Sequence, residues 1–140
     1  MEDVAIIGVG IEGFRSAIKE LSYKELIYYA AVKAYDDAKI KNPREEIDTF
    51  VTCAEDYNEG TSIFDEYTPD QLGGARKPVH TISGDGIQGL IAGYMQIASG
   101  LVETAVIEAH SKASDIVNHY EVMRFAFDPI YTRPLGGIPH

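Results

Sequence analysis

The chain has 140 residues, of which 45% are hydrophobic and 24% are charged, as is typical of one globular domain. Its net charge of -10 argues against nucleic-acid binding, because affinity for phosphate backbones comes from clustered Lys and Arg. No apolar run reaches the roughly 20 residues that a membrane helix needs. The N-terminus begins acidic and runs directly into strand-like sequence, unlike a signal peptide. We therefore expect a cytoplasmic protein that binds neither nucleic acid nor membrane.

Cysteine, histidine and acidic residues limit the chemistry further. The single cysteine, Cys53, excludes an internal disulfide and a Cys-based zinc cluster, and we expect it to be a small core side chain. Nine acidic residues and no Lys or Arg lie between Glu45 and Ala75, which is typical of a solvated acidic loop. No metal is expected, because the four histidines lack the spacing of metal ligands: His80, His110, His119 and His140.

The first third of the chain predicts strand, helix and strand. The apolar, β-branched run "VAIIGVG" (4–10) predicts a buried strand. Residues 22–40 predict a helix with one apolar face, and Ser22 with Glu25 forms a capping box at its start. The alternating segment "IDTFVTCAED" (47–56) predicts a second strand.

The rest of the chain continues the alternation. Residues 57–76 are expected to form a loop excursion with one short helical turn. The segment 77–83 predicts a third strand, and residues 86–99 predict a helix that is apolar on nearly all sides and therefore buried. Residues 103–111 predict a fourth strand, which its apolar run indicates to be central, and 112–140 predict an irregular tail. Alternating strands and helices indicate an α/β layered fold with a mainly parallel sheet, in one domain spanning 1–140.

Two glycine-rich turns are candidate sites. "GVGIEG" matches the G-x-G-x-x-G pattern of dinucleotide sites through Gly8, Gly10 and Gly13. The capped helix starts only at Ser22, and no acid stands about 20 residues on at the end of a second strand. This context favours a plain glycine-rich turn over a nucleotide site.

The second turn, "SGDG", follows the third strand. Ser83 stands before a helix N-terminus, where negative charge is stabilised, and Gly84 and Gly86 allow a tight turn and close approach of a ligand. A serine nucleophile needs a base, and the candidates are His80, on the opposite face of a regular strand, and His110, at the end of the fourth strand. The alternative is that Ser83 is an N-cap or turn residue. Asp85 is expected to cap the helix.

These elements, in this order, resemble the N-terminal part of the thiolase superfamily, especially the archaeal and sterol-carrier-protein-type thiolases. The resemblance rests on "VAIIGVGIEGF", the helix and strand that follow it, and "FDPIYTRPLG" near the end. Its longest segment is "KPVHTISGDGIQGLIAGYMQIASGLVETAVIEAHSKAS". It implies a thiolase-like layered fold that corresponds to roughly the first half of the family's length.

The resemblance also implies a function and a departure from it. In thiolases the turn after the third strand carries the cysteine that takes the acyl group from acyl-CoA, and here that position is Ser83. The family's second half carries the catalytic histidines, and its segments are not among these 140 residues. We therefore expect a non-catalytic or accessory subunit related to acyl-CoA acyltransferases, with acyl-CoA as a ligand and no resident cofactor. The alternatives are one half of a split acyltransferase and a serine-dependent thioester hydrolase.

Partners follow from the same resemblance. In the family the strand before the nucleophile lies at the dimer interface, and the matching stretch here is Lys77 to Ile82. We expect a homodimer through this stretch, or a heteromer with a thiolase-like or acyl-CoA-binding chain. Either assembly would cover the apolar helix at 86–99.

Overall fold

The computed structural model describes residues 3–54 and 68–112, together with the single positions Ile130 and Pro134. The elements follow one another as α1 (Tyr23–Ala38), α2 (Pro43–Glu46), β1 (Thr49–Ala54), α3 (Thr68–Leu72), β2 (Val79–Ser83), α4 (Gly86–Ala98) and β3 (Ala105–Ala109). The predicted strands at 47–56, 77–83 and 103–111 correspond to β1, β2 and β3. The predicted excursion 57–76 contains α3, the one short helical turn expected there. Its first part, 57–67, and nearly all of the tail lie outside the described residues.

The three strands form one parallel sheet in the order β2-β1-β3. Phe50 of β1 is in register with Val79 on one side and with Val106 on the other. Even-numbered positions of β1 face α1 and odd-numbered positions face α4, since successive side chains of a strand point to opposite faces. The predicted α/β layered fold is confirmed.

The position of the strands corrects one expectation. β1, and not the fourth predicted strand, is the central strand of the described sheet, and β3 lies at an edge. The apolar run of β3 reflects contact with α4 rather than a central position, because its Ile107 side chain packs against Gly89 and Gly93 of that helix.

Helix α1 forms where the sequence predicts it. The Ser22 N–H donates to Glu25 Oε2 (2.7 Å), and the Glu25 N–H donates to Ser22 Oγ (3.3 Å), which completes the capping box. At the other end Lys39 adopts a left-handed conformation (φ 63°) that stops the helix. The buried face of α1 packs with Ile47, which follows α2, and with residues of β1 and α3 in one core: Ile27, Ala31, Tyr35, Ile47, Phe50 and Leu72.

The predicted strand at 4–10 is wrong. Residues 3–14 form no helix or strand in the described chain, and 4–10 run beside α1 instead of joining the sheet. Gly8 and Gly10 make this possible, because a side chain on either would collide with the α1 backbone at Ala34 or Ala30. The Val9 N–H donates to the Asp37 side chain at 3.0 Å. Ile6, Ile7 and Val9, which favoured a buried strand, are exposed, and so are Ile11 and Phe14 after them.

Helix α4 is covered by the sheet on one side only. Its Gly89 lies against Cys53, and its Gly93 lies against Ile107. The opposite face carries five large apolar side chains that are between 41% and 64% exposed: Ile87, Leu90, Ile91, Tyr94 and Met95. The helix is therefore as apolar as predicted, but the described chain buries only half of it. No helix in the described ranges is long and apolar enough to span a membrane.

Candidate functional site

The carboxyl ends of the three parallel strands meet at one edge of the sheet. Ser83 ends β2, Ala54 ends β1 and is in register with Ser83, and His110 follows β3 directly. The His110 N–H donates to the Cys53 carbonyl at 3.3 Å, so the polypeptide of β3 stays beside β1 up to this point. In open α/β sheets ligands bind at this edge.

The turn that carries Ser83 is tight. Gly84 has φ 154°, which side-chain-bearing residues rarely adopt, and the place of its missing side chain is filled by Gln88. Gly86 begins α4, and a Cβ there would lie 3.0 Å from the Ala109 Cβ. The space beside both glycines is thus occupied by the chain's own atoms, which gives both a role in the packing of the turn.

Asp85 caps α4, as predicted. Its Oδ1 accepts the Ile87 N–H at 2.9 Å. The N-cap position therefore belongs to Asp85, and Ser83 lies two residues before it with an exposed side chain. Asp85 supplies the capping oxygen of α4, so Ser83 is the last residue of β2 and not the N-cap.

The two candidate bases lie on opposite faces of the sheet. His80 is exposed on β2 and points away from the face of Ser83, as the alternation predicts. His110 follows β3 on the α1 face, where its ring stacks on Tyr23 with the centroids 5.8 Å apart. Position 83 and position 110 share this face, since Glu108 and Thr52 are in register on it.

Glu108 joins His110 in a polar cluster that the sequence reasoning missed. Its carboxylate is 8% exposed, accepts the Thr52 hydroxyl at 2.7 Å and lies 2.8 Å from His110 Nδ1. A carboxylate buried at this depth requires donors, and these two groups supply them. The signal was an acid inside the apolar run "AVIEA", two residues before a histidine and therefore on its face of the strand.

Cys53 lies on the other face of β1. Its side chain is buried against Gly89 of α4, and burial together with the charge of Glu108 raises the pKa of the thiol to about 11. A thiol with this pKa is almost wholly protonated at neutral pH. The prediction of a core cysteine is confirmed.

The N-terminal glycine motif has the geometry of a packing contact. Gly10 approaches the middle of α1 and Gly8 its C-terminal end, whereas a pyrophosphate site needs the free N–H groups of a helix start. Gly13 has φ 75° and turns the chain beside Ile18 and Leu26. Within the described ranges, no three His, Cys, Asp or Glu side chains are grouped as metal ligands.

No protein-family model matches the sequence, and no curated protein is significantly similar to it. Among solved structures, the fold is similar to that of 3-oxoacyl-[acyl-carrier-protein] synthase III from Aquifex aeolicus VF5, with a TM-score of 0.63 and 20% identity. The alignment covers 75% of this chain and 34% of the synthase, so the chain spans about a third of that enzyme's length. The chain therefore has a thiolase-like fold.

Proposed function

We propose that this chain is a thiolase-fold protein that acts as a non-catalytic or accessory subunit related to acyl-CoA acyltransferases. The observation that carries the proposal is Ser83. It stands exposed at the carboxyl end of β2, before α4, where the resemblance to thiolases places the nucleophilic cysteine. A helix N-terminus contributes about 0.3–1 kcal/mol to a nearby negative charge. That is less than a tenfold change in ionisation, which does not make a hydroxyl a substitute for a thiolate.

The only thiol among the 140 residues does not replace the missing nucleophile. Cys53 is 1% exposed and lies under α4, and the pKa of its thiol is raised to about 11. This supports a role in which this chain's own side chains perform no cysteine-dependent acyl transfer. Acyl-CoA is the ligand that we propose for it.

Restoring the thiol tests the proposal. Ser83→Cys is made in a Cys53→Ala background, and Thr81→Cys in the same background serves as the control, because Thr81 is also exposed but lies away from the helix start. After incubation with acetyl-CoA, intact-mass analysis should show an acetyl adduct on the Ser83→Cys protein only. An adduct on the parent protein, or equal acetylation of the two cysteine variants, would contradict the proposal.

A split acyltransferase completed by a partner chain is the second candidate, and the exposed face of α4 favours it. Five adjacent apolar side chains on one helix form the kind of surface that marks protein contacts. The expected partner is a thiolase-like or acyl-CoA-binding chain. Native mass spectrometry of the protein from its host's lysate, followed by an acyl-transfer assay on any heteromer, distinguishes this candidate: an active heteromer supports it, and an inactive one supports the accessory role.

A homodimer through Lys77 to Ile82 is the assembly that we propose for the chain alone. β2 is an edge strand of the described sheet, and the carbonyl of Pro78, directly before β2, accepts the Phe50 N–H at 3.0 Å. Because successive N–H groups alternate between the two sides of a strand, the Thr81 N–H points away from β1. If the β2 strand of a second copy pairs with this edge, the Thr81 N–H is available as a hydrogen-bond donor to it.

Thr81→Pro removes this N–H without breaking the ladder between β1 and β2, since proline is tolerated where an edge N–H faces outward. Sedimentation of the wild type, Thr81→Pro and Thr81→Ala should give dimer, monomer and dimer. A Thr81→Pro protein that remains dimeric would place the interface elsewhere.

A further inference from the structure

The edge strand β2 has opposite charges at its two ends. Lys77 lies two residues before the strand begins, and Asp85 lies two residues after it ends. The Asp85 carboxylate is exposed and accepts the Ile87 N–H at 2.9 Å. In the part of the chain that the structure describes, neither Lys77 nor Asp85 forms an ion pair. The edge therefore has a basic start and an acidic end.

The backbone of β2 offers three residues to a further strand. Pairing with β1 directs the N–H and C=O groups of His80 and Ile82 toward β1. The corresponding groups of Val79, Thr81 and Ser83 point outward. Thr81 is the middle one of the three, so the strand extends equally far on each side of it.

The strand length favours one register for two copies. A two-fold axis normal to the sheet makes the two β2 strands antiparallel. If the axis lies at Thr81, Val79 faces Ser83 of the partner subunit and the whole strand is paired. An axis at His80 or at Ile82 leaves an outward residue of each strand opposite a position outside the partner strand. Thr81 is therefore the centre that uses all the outward groups.

The charges favour the same register. With the axis at Thr81, Lys77 of the partner subunit comes opposite Asp85, and the symmetry repeats this pair on the other side. Each copy has a net charge of -10, so the copies repel each other unless opposite charges meet at the contact. Two Lys–Asp pairs at the ends of the paired strands provide this complementarity.

We propose that two copies pair antiparallel through β2 with the two-fold axis at Thr81, and that Lys77 of the partner subunit forms an ion pair with Asp85. This inference rests on the homodimer proposed above and adds its register. Asp85 follows Ser83 by two residues, so the partner's basic residue lies beside the turn that carries Ser83. The candidate site at this turn is thus shared by both copies.

Disulfide crosslinking tests the register. Thr81→Cys, His80→Cys and Ile82→Cys are made singly in a Cys53→Ala background and oxidised. Thr81→Cys should crosslink two copies, because the Cα atoms of a facing hydrogen-bonded pair lie about 5.5 Å apart, within the range of a disulfide. His80→Cys and Ile82→Cys are the matched controls and should not crosslink, since each lies diagonally from its own copy at about 7–8 Å.

The outcomes separate the register from the dimer itself. A wild type that sediments as a monomer would overturn both the homodimer and its register. A dimeric wild type in which Thr81→Cys does not crosslink, or in which a control crosslinks instead, would overturn the register and leave the homodimer standing.

Sedimentation of charge variants tests the ion pair. Lys77→Glu should raise the dissociation constant of the dimer at least about fivefold, because two attractive pairs become repulsive. In an Asp85→Asn background, which keeps a capping oxygen for α4, the same substitution should change it less than about twofold. Lys19→Glu, at an exposed lysine outside the sheet, is the control for net charge. Equal effects of Lys77→Glu and Lys19→Glu would overturn the ion pair.

Discussion

Cys53 and Ser83 have opposite environments, although both lie near the carboxyl edge of the sheet. The thiol is enclosed between β1 and α4, whereas the hydroxyl is exposed at the end of β2. The reactivity of a side chain in a protein depends on its accessibility and its ionisation. A thiol is more nucleophilic than a hydroxyl, but here the thiol is the buried group of the two. Of these two side chains, the one that solvent reaches at this edge is therefore the Ser83 hydroxyl.

The state of Cys53 gives a direct prediction. Because its pKa is raised to about 11 and its sulfur is buried, the native protein should react with a disulfide reagent at pH 8 at least tenfold more slowly than the same protein in urea. The Ser83→Cys, Cys53→Ala variant provides the comparison and should react at once in the native state. Fast labelling of native wild-type protein would show that α4 does not cover the thiol.

Tyr35 predicts a loss of stability at alkaline pH. Its hydroxyl donates to the Leu72 carbonyl at 2.6 Å, and burial raises the pKa from 10.0 to about 12. The folded protein therefore holds this proton more tightly than the unfolded chain. Its contribution is complete below pH 10 and is lost as the pH rises toward 12.

Urea unfolding of Tyr35→Phe tests this contribution. The variant should lose about 1 kcal/mol of the free energy of unfolding at pH 7, because a buried carbonyl loses its donor. The loss should shrink above pH 10. Tyr28→Phe, on the exposed side of the same helix, should stay within about 0.5 kcal/mol of the wild type. Equal effects of the two substitutions would contradict the assigned role.

The contact between α4 and the sheet depends on two glycines one turn apart. A Cβ at Gly89 would overlap Cys53 Sγ and lie 3.1 Å from an Ile107 methyl group, and a Cβ at Gly93 would lie 2.8 Å from the Ile107 side chain. The helix therefore packs closer to β1 and β3 than larger residues allow. This close packing is what buries Cys53.

Gly89→Ala should accordingly destabilise the protein by about 1–3 kcal/mol, as overpacking of a core does. Removing the sulfur should relieve most of the collision, so Cys53→Ala combined with Gly89→Ala should be more stable than the sum of the single changes predicts. Thermal unfolding of the three variants measures the coupling. Strictly additive changes would indicate that the helix moves away from the sheet instead.

The elements that the sequence predicts well are those with a local signal. The capping box of Ser22 and Glu25, the alternation of 47–56 and the glycine turn before α4 define their elements without knowledge of the rest of the fold. The segment 4–10 has the composition of a strand, but its glycines pack on the backbone of α1, and this contact depends on tertiary structure. The spacing of Glu108 and His110 is local and visible in the sequence, whereas the Thr52 donor that completes their cluster comes from another strand and depends on the fold.

At the scale of the whole molecule, the described chain buries one face of its apolar helix and leaves the other open. The exposed residues of α4 and the apolar residues of 3–14 lie on different elements, so two separate surfaces are available for contacts. The synthase of similar fold is about three times as long as the matched segment. A longer protein of this fold has additional residues that can cover such surfaces.

Hydrogen exchange measures how the local stability differs between the central strand β1 and the edge strand β2. The amides of Val51, Thr52 and Cys53 should exchange slowest, because β1 is paired on both sides and buried on both faces. On the edge strand β2, the His80 amide faces β1 and should be slow, whereas the Thr81 amide should exchange at least tenfold faster in a monomer. Protection of Thr81 at high protein concentration would support pairing of two copies through β2, and fast exchange of β1 would contradict the described sheet.

The central position of β1 has a consequence for biosynthesis. β1 is made before both of its neighbours: its contacts to the β2 side span 29 residues and those to β3 span 56. A nascent chain therefore carries the strand that is most buried in the fold for the whole time that the ribosome needs to complete α3, β2, α4 and β3. Both edges of β1 are therefore open to other chains until β2 is made, and the edge that β3 covers stays open until the end of this interval.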